Sequence, residues 1–275
     1  MLRRTASHGL LCGMIAIPTL PGIHLVFDLL AWLASAGLGV VLYRWRLREL
    51  TARTARVTGP GYVASLAVGA IAGAWLSGSL NTLMSSTPTL SHSVVGALAG
   101  AVVGVEAWKH ARGVRGSTGG IFTGPFALGI AVGRLGCLFE GLPDRTYGVA
   151  TILPWGVDLG DGVSRHPVQI YESLAMLTFV AVYVIGLARR APWAMQRSFY
   201  VLCIWYGAQR FVWEFLKPYP SLTGPFTLFH LICVGLIIYG AVMYGRDLGA
   251  ARTRRDGGAA QGRALSVLRP DDEPV

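Results

Sequence analysis

The residues of this sequence that could do chemistry are few and fall at helical intervals. Arg210 and Glu214 stand four apart, as do His24 and Asp28; Gln169 and Glu172 stand three apart just after Arg165 and His166; Arg134 precedes Cys137 by three. Residues three or four apart share one face of a helix, so each pair can act on a common neighbour. An arginine guanidinium stays protonated and offers a planar fork that matches phosphate oxygens, so Arg134, Arg165 and Arg210 together suit a phosphate-bearing ligand. His24, His92, His166 and His230 are the histidines available for proton transfer, and the sequence alone does not choose among them. A plainer reading competes: Arg210 with Glu214, and Arg134 with Glu172, are ion pairs that tie helices together.

The elements that must carry these residues follow from composition. Of the 275 residues 53% are hydrophobic and 14% charged, and the mean hydropathy is +0.50, which points to a bilayer as solvent. Continuous apolar stretches long enough, or nearly so, to span run at about 22 to 43, 61 to 80, 90 to 108, 120 to 138, 167 to 188, 198 to 216 and 225 to 245. Backbone amides in hydrocarbon must be satisfied internally, and the runs lack the alternation of a barrel. The expected fold is therefore all-α, a polytopic membrane bundle of about seven transmembrane helices. Gly69 with Gly73, and Gly96 with Gly100, supply small-xxx-small spacings that let helices approach closely.

Most of the 24 basic residues, including Arg44 to Arg56, Lys109 to Arg115, Arg189 to Arg197 and Arg246 to Arg269, follow the odd-numbered spans. By the positive-inside rule those ends are cytoplasmic and the even-numbered loops face outwards. The net charge of +10 then belongs to membrane flanks and not to a nucleic-acid surface, which would interleave aromatic residues with the basic runs. With this topology, His24, Asp28, His92, Arg134, Arg165, His166, Gln169, Glu172, Arg210, Glu214 and His230 all lie toward the outer face, and Glu106 is the main exception. Charges at one depth in hydrocarbon pair or share a hydrated cavity, because each costs on the order of 2.5–3.5 kcal/mol there.

One bundle is expected over residues 1–247, with an outer loop at 139–166 that acts as a lid, a binding loop or a structural cap, and a disordered cytoplasmic tail over 248–275. The amino-terminal run MLRRTASHGLLCGMIAIPTLPG reads as an interfacial or re-entrant segment, since Pro18 and Pro21 interrupt it and no small-residue cleavage site follows. Cys12, Cys203 and Cys233 read as packing residues, and no CxxC spacing recommends a metal.

The segments GRLGCLFEGLPDRTYG (133–148), RHPVQIYES (165–173) and RFVWEF (210–215) resemble, in residues and in order, the bacterial prolipoprotein diacylglyceryl transferase family. The likeness covers most of the chain and extends to SHSVVGALAG (91–100), where His92 looks like the family's functional histidine. The resemblance implies an inner-membrane enzyme that moves the diacylglyceryl group of phosphatidylglycerol to the lipobox cysteine of a prolipoprotein signal peptide, with no metal or soluble cofactor. It implies that Arg134 and Arg210 hold the lipid phosphate, that His92 is a candidate base for the incoming thiol, and that Glu214 orients Arg210. Arg165, His166, Gln169, Tyr171, Glu172, Cys137, Glu140 and Gly148 are then candidates for substrate binding. The chain departs from the family pattern at Cys137 and Glu140, where asparagines are usual, at Leu142, where glutamate is usual, at Ser93 and Val94 in place of two glycines, and at His230 in place of glutamine. Cys137 reads either as apolar filler at a helix end or as an acyl- or glyceryl-accepting nucleophile beside Arg134. The departures leave a second functional reading, a catalytically silent or re-purposed relative that binds phospholipid or a lipoprotein signal peptide. A small transporter is a third, but it would need broken helices or inverted repeats that the sequence does not show.

Overall fold

The computed structural model describes residues 15–85 and 88–267, with side chains described as far as Thr253. Nine α-helices are found among these residues: α1 (Ile23–Leu42), α2 (Arg48–Val57), α3 (Pro60–Leu83), α4 (Val94–Arg112), α5 (Thr123–Glu140), α6 (Val168–Ala188), α7 (Pro192–Gln196), α8 (Ser198–Glu214) and α9 (Leu228–Val267). A short π-helical stretch, Tyr43–Leu47, joins α1 to the basic helix α2. The departure from an all-helical fold is a parallel pair of two-residue strands, β1 (Ile15–Ala16) and β2 (Val157–Asp158). Residues 1–14, which include Cys12 and most of the amino-terminal run, lie outside the described residues, as do 268–275.

Local chemistry sets several of these boundaries. Pro60 opens α3 at a position whose amide has no helical partner to lose. Ser93 caps α4, its hydroxyl accepting from the Gly96 amide at 3.4 Å, and Gly113 ends that helix at φ 66°. At α1 the cap comes from elsewhere in the chain. The Glu140 carboxylate accepts from the amides of Gly22 at 2.9 Å and His24 at 3.2 Å, so the end of α5 secures the beginning of α1.

Each of the seven apolar stretches forms a helix. Five helical segments, Ile23–Val57, Pro60–Leu83, Gly120–Glu140, Val168–Ala188 and Leu228–Thr253, are long and apolar enough to cross a membrane. By the same measure α4 and α8 are not: α4 ends in Glu106, Lys109, His110 and Arg112, and α8 is 17 residues long and carries Arg210 and Glu214. The molecule is a membrane helical bundle. Its outward faces are apolar, with Leu25, Leu29, Trp32 and Leu33 exposed on α1 and Val63, Val68, Ile71 and Leu76 on α3, as a hydrocarbon solvent requires. The core lies among α5, α6, α8 and α9, where Met176, Phe179, Tyr183, Leu202, Cys203, Tyr206 and Cys233 are at most 1% exposed. Cys203 and Cys233 are thus packing residues.

The glycines at small-xxx-small spacing on α3 and α4 face each other. A methyl group on Gly73 would lie 2.3 Å from the Gly96 carbonyl oxygen, and one on Gly100 would lie 2.1 Å from that of Gly69. Nothing larger than hydrogen fits between these backbones.

The two ends of the bundle differ. At one, Leu50 packs on Gly120, Phe199 on Gly119 and Arg197 over Tyr244, which gathers the basic connections after α1, α4 and α6. At the other, Ile17 donates to Asp158, Leu20 to Phe139 and Val149 to Leu216. The loop at 139–166 is laced further by Thr151 donating to Ser164 and by Val157 and Arg165 exchanging amide bonds. Among the described residues α9 runs on as helix to Val267.

Candidate active site

Three helices bring five ionisable side chains to one buried point near the laced end. Glu172, in the second turn of α6, is the hub: its Oε2 lies 2.5 Å from Arg134 Nε of α5, and its Oε1 accepts from Arg210 Nη1 of α8 and, at 2.8 Å, from Lys217 Nζ in the turn after α8. Arg210 Nη2 also lies 3.0 Å from Glu214 Oε2, one turn along the same helix. The Thr227 hydroxyl donates to Glu214 Oε1 at 3.0 Å, and the Thr227 amide donates to His230 Nδ1 at 2.9 Å. All of these side chains are buried. Both sequence-stated pairs, Arg134 with Glu172 and Arg210 with Glu214, therefore exist as ion pairs. They share one network of three cations and two carboxylates, which keeps one positive charge in excess.

That network forms part of the wall of a cavity of about 1050 Å³, at the upper end of the roughly 300–1,000 Å³ of ordinary ligand pockets. Arg134 and Arg210 line it together with Cys137, His92, Tyr219 and Phe229, and α1, α3 and α4 contribute apolar residues such as Trp32, Leu66, Leu98 and Val102. His92 reaches this cavity from the segment before α4. It is exposed, and its ring centroid lies 5.9 Å from that of Trp75.

The other candidate residues do not all converge here. Arg165 points away: its guanidinium donates to both Asp161 oxygens, at 2.6 and 2.8 Å, and lies over the Tyr147 ring. Those hydrogen bonds hold the Asp161 carboxyl below its ordinary range and push Arg165 up. His166 packs edge-on against Tyr171, and Tyr171 accepts from Trp155 Nε1 at 2.8 Å and lies beside Trp213. Gly148 is a close-approach residue, since a Cβ there would lie 2.3 Å from the His166 carbonyl oxygen. Gln169 is buried at the start of α6, and Glu140 serves as the cap of α1. Cys137 is buried with its sulfur 3.7 Å from Arg134 Nη1 and 3.4 Å from His24 Nε2.

Lys217 and Thr227 were missed as site residues. Lys217 carries a readable signal, because Arg210, Glu214 and Lys217 fall at i, i+4 and i+7 on one stripe. Thr227 has none, because it enters through a loop.

A family model described as prolipoprotein diacylglyceryl transferase matches residues 30–246, which includes every residue of the charge network. The chain belongs to the prolipoprotein diacylglyceryl transferase family. Its similar relatives are each called phosphatidylglycerol–prolipoprotein diacylglyceryl transferase. The protein of Solidesulfovibrio magneticus is 34% identical over 137 residues, covering 46% of this chain and 49% of that one. That of Geobacter sulfurreducens is 31% identical over 124 residues, 42% and 45%, and that of Methylococcus capsulatus is 30% identical over 169 residues, 58% and 61%. The chain spans about half the length of the curated relatives it matches. No solved structure matches it.

Proposed function

We propose that this family member transfers the diacylglyceryl group of phosphatidylglycerol to the thiol of a prolipoprotein lipobox cysteine, at the outer leaflet of a bacterial inner membrane. The observation that carries this reading is the excess positive charge of the buried network on the wall of a largely apolar cavity. Three cations against two carboxylates leave room for one anion, and the surrounding apolar surface suits acyl chains. The names of the similar relatives supply the substrates.

In this reading the lipid phosphate is held by Arg134 and Arg210, with Lys217 adding charge behind them. The lipobox thiol loses its proton to His92 and attacks the glyceryl carbon that bears the phosphate. A carbon–sulfur bond forms as the carbon–oxygen bond breaks, and glycerol phosphate departs with the electron pair. The leaving phosphate gains negative charge, which preorganised guanidinium groups stabilise more strongly than they do the starting diester. Glu172 and Glu214 are positioning residues because they touch the arginines, and Thr227 acts through Glu214. Cys137 and the groups from Arg165 to Tyr171 line or brace the approach. The basic end is cytoplasmic, so the chain crosses seven times, counting α4 and α8, with its carboxyl end inside.

The test is reconstitution of the purified protein in phosphatidylglycerol vesicles with a lipobox peptide, followed by mass spectrometry. The expected result is a diacylglyceryl mass gain on the peptide cysteine that Arg134→Ala, Arg210→Ala and His92→Ala each abolish. An unchanged peptide, with an authentic family enzyme active in the same vesicles, would overturn the proposal.

A further inference from the structure

Beside the charge network, a second set of side chains converges that takes no part in the bond-making steps of the proposed transfer. His24, in the first turn of α1, has its Nδ1 3.0 Å from Asp28 Oδ2, one turn further along. Its other nitrogen, Nε2, faces Cys137 Sγ at 3.4 Å and Asp144 Oδ1 at 3.5 Å. These last three atoms, from α1, α5 and the turn after α5, all lie within 4.8 Å of one another.

Asp28 as a carboxylate can only accept, so it holds a proton on Nδ1, and a cation bound at Nε2 would displace the proton there. An imidazole lone pair, a cysteine sulfur and a carboxylate oxygen then point at one spot, which asks for a cation between them. Zinc takes bonds of about 2.0–2.1 Å to nitrogen, about 2.3 Å to sulfur and about 2.0–2.2 Å to oxygen, and tetrahedral angles then set ligand atoms roughly 3.3–3.6 Å apart. Both measured edges at His24 fall in that range.

The surroundings have the character of a metal site as well. A carboxylate behind the distal nitrogen of a ligating histidine is the usual outer partner, and Asp28 occupies that place. The second oxygen of Asp144 accepts from the Thr146 hydroxyl, which leaves Oδ1 to face His24. Arg134 Nη1 lies 3.7 Å from the sulfur, and Glu140 fixes the His24 backbone. Cys137, His24 and Asp144 all line the large cavity.

We propose that Cys137, His24 and Asp144 form a mononuclear divalent-metal site of the zinc type, with its fourth coordination position open to the cavity. The inference stands on the side-chain geometry and does not depend on the transfer reaction.

The experiment uses the full chain purified in detergent without a histidine tag, stripped with chelator and titrated with cobalt chloride. The expected result is stoichiometric uptake with intense visible bands of a tetrahedral ion and thiolate-to-cobalt charge transfer in the near ultraviolet, both displaced by zinc. Cys137→Ser removes the charge transfer, whereas Cys203→Ser and Cys233→Ser leave it intact. Asp28→Asn keeps every ligand and weakens binding about 10–100-fold. Zinc also raises the unfolding midpoint of the stripped wild-type protein, a readout that needs no variant. Absence of charge transfer, its survival in Cys137→Ser, or an unfolding midpoint that zinc leaves unchanged would each overturn the proposal.

Discussion

The two oxygens of Glu172 serve different partners, one facing Arg134 and the other Arg210 with Lys217. Glu172→Gln would leave three buried cations against Glu214 alone. Breaking a buried pair from one side costs about 3–5 kcal/mol, so this variant should unfold well before the wild type in detergent thermal melts. Thr227→Val removes a neutral donor to Glu214 and should cost about 1 kcal/mol while lowering the proposed transfer through a loosened Arg210. Far from the network, the Asp161 carboxyl is held low by Arg165. A depressed carboxylate contributes order that is present at neutral pH and is withdrawn as pH falls below about 4 through its lowered value. Proteolysis of the 150–165 loop should therefore accelerate only in that acid range. Asp161→Asn should show the faster cleavage at neutral pH as well.

At the scale of elements, the contact between α3 and α4 is the least forgiving. A side chain on Gly73 or Gly100 meets backbone that cannot rotate away. Gly100→Val should cost at least the upper part of the about 1–3 kcal/mol typical of overpacking, read from thermal unfolding. Gly37 of α1 has open space around it, and Gly37→Ala should be neutral or slightly stabilising because alanine favours helix. The cap of α1 makes a separate prediction. Glu140→Ala should speed hydrogen exchange of the Gly22 and His24 amides while leaving α5 protected. These elements were legible to different degrees. Helix positions followed from apolar runs, since a bilayer leaves the backbone no other way to satisfy its amides. The α3–α4 contact followed from glycine spacing. The role of Glu140 did not, because a cap supplied from 116 residues away in sequence leaves no local pattern. The site was read in part for the same reason: paired arginines and glutamates show their helical spacing, whereas the meeting of His24 with Cys137 and Asp144 exists only once α1 and α5 pack.

For the molecule as a whole, the segregation of basic connections at one end predicts a fixed orientation. A cysteine placed at Ile152, which is 99% exposed, should react with a membrane-impermeant maleimide added to intact spheroplasts, and a fluorescent protein fused to the carboxyl end should light up in the cytoplasm. Equal labelling of a cysteine at Arg53 from outside would contradict that topology. The 139–166 loop bears on how the proposed lipid substrate would enter. Its two edges are stitched to each other, to Leu216 beyond α8 and to the strand at Ile15–Ala16, and its residues Pro143 to Thr146 form a braced part of the cavity wall. A chamber walled by membrane helices is supplied from the side, by molecules already diffusing in the plane of the membrane. The rate of the proposed transfer should then follow the mole fraction of donor lipid within each vesicle and stay constant when more vesicles of the same composition are added, as long as protein and acceptor are confined to the original ones.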